Sequence, residues 1–191
     1  MTGSPRLAKL PPGSLDDAQR ALYDSIAGGP RAQGPQLFRL VDGDGGLEGP
    51  FNALLLQPRL GDALQALGAA VRYATTLSDR AREIAILVVA AQWHSEFEQY
   101  AHEAVGRAAG LTDTELAALR DGRFDVLTGD EALVARTTRL LAADGDLDDD
   151  AYRRAVEALG VVRVFELSTL VGYYATLALQ LRVFRVAAPT P

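Results

Sequence analysis

The stretch Ser78-Asp-Arg-Ala-Arg-Glu-Ile-Ala-Ile-Leu-Val-Val-Ala-Ala-Gln-Trp93 runs directly into His94-Ser-Glu-Phe-Glu-Gln-Tyr-Ala-His102-Glu103, and its reading decides the fold. Ser78 is a good N-cap, because its hydroxyl accepts a backbone N–H that the first helical turn leaves without a partner. Ile84, Leu87, Val88 and Ala91 then recur at helical spacing. A second helix is expected from about Ser95 to near Gly110, a residue suited to a left-handed cap. Thr112 opens a third, with Glu115 at the spacing of a capping box.

The same periodicity extends in both directions. Ser14 and Asp17 start a helix through Ile26, and Arg59 to Thr75 follows Pro58 with Leu60, Leu64, Leu67 and Val71 on one face. Toward the carboxyl end, helices are expected at 129–143, 148–159 and 162–184. The Gly- and Pro-rich stretch from Gly28 to Pro50 cannot hold one long helix. No run alternates for long in the manner of a strand. The expectation is an all-α fold, one domain over residues 1–191, with Pro-rich residues 1–13 and 187–191 extended or frayed.

Composition narrows the chemistry. A net charge of −6 argues against a nucleic-acid partner, which requires a basic face. The absence of cysteine excludes disulfides, thiolate metal sites and every thiol-based catalytic scheme. The charge-free centre of the most apolar segment, Leu167 to Leu181, is shorter than the ~18–20 residues needed to cross a bilayer. The first residues carry no apolar run after their first charges, so no signal peptide and no membrane partner are expected, and a cytoplasmic location is the default. Asp144-Gly-Asp-Leu-Asp-Asp-Asp lacks the glycine and the glutamate that a calcium loop needs at its sixth and twelfth positions.

Both histidines lie in the opening stretch. Glu98 and His102 are one turn apart, and His94 lies about 80° around the wheel from His102 if one helix holds both. A carboxylate beside an imidazole raises its pKa and orients its tautomer, as a general acid or base near neutral pH requires. An exposed Glu–His pair of the same spacing is also common and contributes only a few tenths of a kcal/mol. Glu83 adjoins an apolar run that must be buried, a setting in which enzymes prepare a carboxyl acid. The alternative is a pairing of Glu83 with Arg80 or Arg82 at the helix start. Tyr73, Trp93, Phe97, Tyr100, Tyr173 and Tyr174 either line an apolar pocket or fill core and interface, with Trp93 and Tyr174 assigned to the latter.

Arg82-Glu-Ile-Ala-Ile-Leu-Val-Val-Ala, the helix Ser-Glu-Phe-Glu-Gln-Tyr-Ala-His, and Ala-Ala-Gly-Leu-Thr-Asp-Thr-Glu-Leu together resemble the carboxymuconolactone decarboxylase family. Its superfamily also holds the alkylhydroperoxidase D type of peroxidase. Gly49-Pro-Phe-Asn-Ala-Leu-Leu-Leu-Gln-Pro and Leu170-Val-Gly-Tyr-Tyr are similar to its single-domain members. The resemblance implies an alkylhydroperoxidase D-like helical bundle that forms homo-oligomers, as trimers or hexamers. In the peroxidase branch a Glu precedes a Cys-x-x-Cys pair and a His. Laid on this chain the Glu is Glu83, the cysteine positions are Ser95 and Glu98, the residue between them that is usually His is Phe97, and the final His is His102. Neither a serine hydroxyl nor a carboxylate performs thiol peroxidase chemistry.

The decarboxylase branch implies instead a cofactor-independent lyase acting by proton transfer on a small carboxylated or cyclic substrate. His102 is then the general acid/base, Glu98 orients it and Glu83 is a second proton carrier. Arg72, Arg80 or Arg82 is available to hold a substrate carboxylate, and His94, Ser95, Phe97, Tyr73 and Arg72 are candidate substrate contacts. No metal or cofactor is expected. The competing readings are a non-catalytic binding or structural module on the same fold, and a metal-dependent oxygenase or hydrolase.

Overall fold

The computed structural model describes residues 4–29, 33 and 36–189 and is all-α. Its α-helices are α1 (Asp17–Ala27), α2 (Pro50–Leu54), α3 (Pro58–Tyr73), α4 (Asp79–Trp93), α5 (Glu96–Ala108), α6 (Asp113–Arg120), α7 (Gly129–Asp144) and α8 (Asp149–Phe184). Among the described residues, no helix is long and apolar enough to cross a membrane.

Local chemistry explains most boundaries. Ser78 caps α4 by accepting from the Ala81 N–H, and Thr112 with Glu115 closes the capping box of α6. The first helix starts later than its sequence suggests. Ser14 closes a 3₁₀ turn, Pro12–Ser14, and Asp16 is the N-cap of α1, its carboxylate accepting from the Gln19 N–H. The two late helices are joined in α8, but Gly160 breaks the helical path with φ 81° and ψ 154°, where the sequence places a gap.

α4 is the central helix. Every residue from Glu83 to Ala90 is buried, so it is enclosed all round rather than on one stripe. It packs against α5, α7 and α8. Arg80 clasps it to its neighbours, with Nε 2.9 Å from Glu131 on α7 and Nη2 2.8 Å from Glu115 on α6. These hydrogen bonds outweigh desolvation and hold the guanidinium pKa above its ordinary value.

A second, smaller core lies under the amino-terminal arm, where Leu22 and Ile26 meet Leu40, Leu47, Phe51, Leu54 and Leu55. The segment at residues 4–11 is extended and pinned: the Arg6 N–H donates to the Phe184 carbonyl at 2.9 Å, and the Leu10 N–H to Asn52 Oδ1 at 2.9 Å. The arm then crosses α5, where Phe38 meets Phe97 edge-on with ring centroids 6.5 Å apart.

Candidate acid–base site

The site is made by two helices lying against each other. Burial of the apolar α4 turns Glu83 inward with it, because Glu83 shares the face of Leu87 and Ala90 at helical spacing. α5 presents Phe97, Glu98, Ala101 and His102 to the interior. His102 Nδ1 stands 2.6 Å from Glu83 Oε2, and His102 Nε2 stands 3.4 Å from Glu98 Oε2. All three side chains are almost fully enclosed. The closer carboxylate is therefore Glu83 from the neighbouring helix rather than Glu98 from the same one.

Burial works against an imidazolium here, but the Glu83 charge and hydrogen bond, followed by those of Glu98, outweigh it and raise the His102 pKa above the ordinary value. Each carboxylate keeps one buried oxygen, Glu83 Oε1 and Glu98 Oε1, without a hydrogen-bond partner. Glu83 also borders a surface pocket of about 180 Å³ with Arg82 and Val105, while its own side chain stays enclosed. The carboxylates flank opposite nitrogens of one ring, which makes a line and not a cage. Among the described residues, no three His, Asp or Glu side chains converge as a metal-ligand group.

Beside Glu98 and His102 lies a cavity of about 10 Å³, lined also by Arg72 and Tyr174 and roofed by Phe38, Pro50, Phe51 and Phe97. That is room for about one water molecule. Tyr174 meets the His102 ring edge-on at 5.2 Å, and burial keeps its phenol protonated by raising its pKa well above the usual value. Tyr174 belongs to the core, as the sequence assigns it, and from there it also borders the small cavity beside His102. A phenol inside a charge-free apolar run, Leu170-Val-Gly-Tyr-Tyr, was the available signal, since a buried hydroxyl needs a partner.

The three arginines differ in their partners. Arg80 is engaged by Glu115 and Glu131, and Arg82 pairs with Asp79 at 2.7 Å and also stands 3.9 Å from Glu83 Oε1, the pairing at the helix start that the sequence offers as the alternative. Arg72 lines the cavity and makes no ion pair within 4 Å among the described residues, although the Glu83 charge acts on it. Three other candidates lie elsewhere. His94 is the left-handed C-cap of α4, φ 51°, so one helix does not hold both histidines and His94 is turned away from His102. Ser95, the N-cap of α5, is buried and borders a separate surface pocket together with His94. Tyr73 ends α3 with its side chain exposed, beneath the Arg72 guanidinium.

No curated protein matches the chain. Residues 58–144 match the model of the Carboxymuconolactone decarboxylase family. That segment contains α3 to α7 and supplies Arg72, Glu83, Glu98 and His102, while the arm and α8 lie outside it. The whole Glu83–His102–Glu98 array lies within the segment that is similar to the carboxymuconolactone decarboxylase family.

Proposed function

We propose that this protein is a cofactor-independent acid–base enzyme of the carboxymuconolactone decarboxylase type, acting on a small carboxylated or cyclic organic substrate. The observation that carries the reading is the buried imidazole between two carboxylates, each with one oxygen that makes no hydrogen bond, although Glu83 Oε1 also lies 3.9 Å from Arg82 Nε. Buried acceptors are usually satisfied, and two left without a hydrogen bond on either side of one buried imidazole suit proton-transfer chemistry. In this reading Arg72 holds a substrate carboxylate by charge-assisted hydrogen bonds. The bond to the departing carboxyl carbon breaks, CO₂ leaves, and the electron pair passes into the conjugated lactone carbonyl as a dienolate. The His102 imidazolium delivers one proton to carbon, and the ring is recharged through Glu83. Tyr174, kept neutral, donates its O–H toward the developing oxyanion.

The test is His102→Gln, assayed on a panel of γ-lactone carboxylates. Loss of turnover by at least ~100-fold with the fold retained supports the reading, and unchanged turnover on an identified substrate sinks it.

A second reading, the non-catalytic module, draws on the closed cavity: about 10 Å³ admits no organic substrate until the aromatic roof moves. Under it, no lactone carboxylate binds near His102 whatever the state of the arm. Self-association, expected from the family resemblance, is supported by one face of α8. Val162, Phe165, Leu179 and Val183 are exposed there, and the hydroxyls of Ser168, Thr169 and Thr176 donate to carbonyls of their own helix. Such a face offers little to water and suits a second copy of the chain.

A further inference from the structure

A chamber of about 430 Å³ opens between the amino-terminal arm and the carboxyl-terminal tail. It falls within the ~300–1,000 Å³ range of small-molecule pockets. Its walls are mainly apolar, from Leu7, Leu47, Val186 and Ala187. At one side Lys9 lies between Asp42 and Glu48, at 2.8 and 2.9 Å, so this trio is self-paired and carries a net negative charge. Arg39 lines the same chamber, exposed, and has no ion-pair partner among the described residues.

The chamber shares a wall with the acid–base site. Gly49 lines it with φ 58° and ψ −137°, and a Cβ there would fall 2.2 Å from Phe97 Cζ. Val186 lines it as well and packs on the cluster of Phe97, Ala101 and Leu181. On its other side Phe97 lines the small cavity that holds Glu98, His102 and Arg72. One phenyl ring therefore stands between two hollows, each with an arginine that makes no ion pair among the described residues.

We propose that the chamber binds amphiphilic monocarboxylates, anion toward Arg39 and apolar body toward Gly49, and that Phe97 is the movable partition through which they reach Arg72 and His102. The Lys9 side repels the anion, because two carboxylates outnumber one ammonium, and this sets the ligand's direction. Passage through the partition rests on the acid–base reading above, whereas binding in the chamber does not.

Calorimetry on the full chain with 4-phenylbutyrate and its neutral amide tests the binding. The acid is expected to bind at least about tenfold more tightly than the amide, as one charge-assisted pair provides. Arg39→Gln is expected to abolish that preference, and His102→Gln to leave it intact. Equal binding of acid and amide, or a preference that survives Arg39→Gln, overturns the site. For the partition, Phe97→Leu is expected to let the bound acid shift the NMR resonances of the His102 ring. Phe38→Leu, which thins the same roof, takes its place should Phe97→Leu fail to fold. Ring resonances unmoved by ligand in the folded variant overturn the passage, while the turnover of His102→Gln judges the acid–base reading separately.

Discussion

His102 Nδ1 lies 2.6 Å from Glu83 Oε2, although the residues are 19 positions apart and on different helices. Glu98, one turn away on the same helix, keeps a longer 3.4 Å. The nearer carboxylate contributes the larger charge effect on the ring. Glu83→Gln is therefore expected to lower the His102 pKa by more than Glu98→Gln does. An NMR titration of the ring in both variants decides the order, and the reverse order refutes it.

The same pair couples the fold to pH. The folded His102 pKa is raised, so the contribution to stability is complete below the unfolded value of about 6.5 and declines as pH rises through the folded value. The urea midpoint of the wild type relative to His102→Gln should thus be highest near pH 6 and shrink toward about pH 9. A gap that is constant or widens over that range contradicts the assignment.

Gly49 is held by two constraints at once. Its positive φ disfavours any side chain, and a Cβ would strike the Phe97 ring at 2.2 Å. Gly145→Ala meets only the first, since nothing lies within 4 Å of its absent Cβ. Gly49→Ala is expected to cost about 2–4 kcal/mol and Gly145→Ala about 1 kcal/mol, measured by chemical denaturation.

Arg80 is 29% exposed and joins three helices through two carboxylates, while Arg82 makes its pair with an Asp79 that is 80% exposed. After allowance for solvent screening, Arg80→Ala should destabilise by about 1–2 kcal/mol. Replacing Asp79, the exposed partner of Arg82, should cost under about 0.5 kcal/mol. The Arg80 effect should weaken in high salt, and equal losses for both variants would argue against the clasp.

Phe165 on the outer face of α8 is 70% exposed, and Leu179 on the same face is 49% exposed. Charging both, as Phe165→Glu with Leu179→Glu, should convert an oligomer to a helical monomer in analytical ultracentrifugation. Retention of the wild-type mass would show that copies meet elsewhere.

Helices were legible because their causes are local. The N-cap at Ser78, the capping box at Thr112 and Glu115, and the break at Gly160 each act within a few residues, and all three stand where the sequence puts them. The late start of α1 was not legible, since Ser14 and Asp16 are both good caps and the 3₁₀ turn takes the first. The pairing of Glu98 with His102 was legible from spacing on one helix. The rank of Glu83 over Glu98 was not, because it depends on how α4 seats against α5.

The sequence by itself determined an all-α chain with no thiol chemistry and an acid–base cluster on one short stretch. Those follow from periodicity, caps and composition, which need no knowledge of distant residues. Tertiary structure alone decided that Glu83 is the close partner, that Arg72 rather than Arg80 or Arg82 makes no ion pair among the described residues, and that Tyr174 borders the cavity beside His102. It also turned His94 away and laid Phe38 and Phe51 over His102. The physical reason is the same for each: burial and the choice of partner are set by how packed elements exclude water from one another, and no local pattern encodes which remote side chain completes a charge.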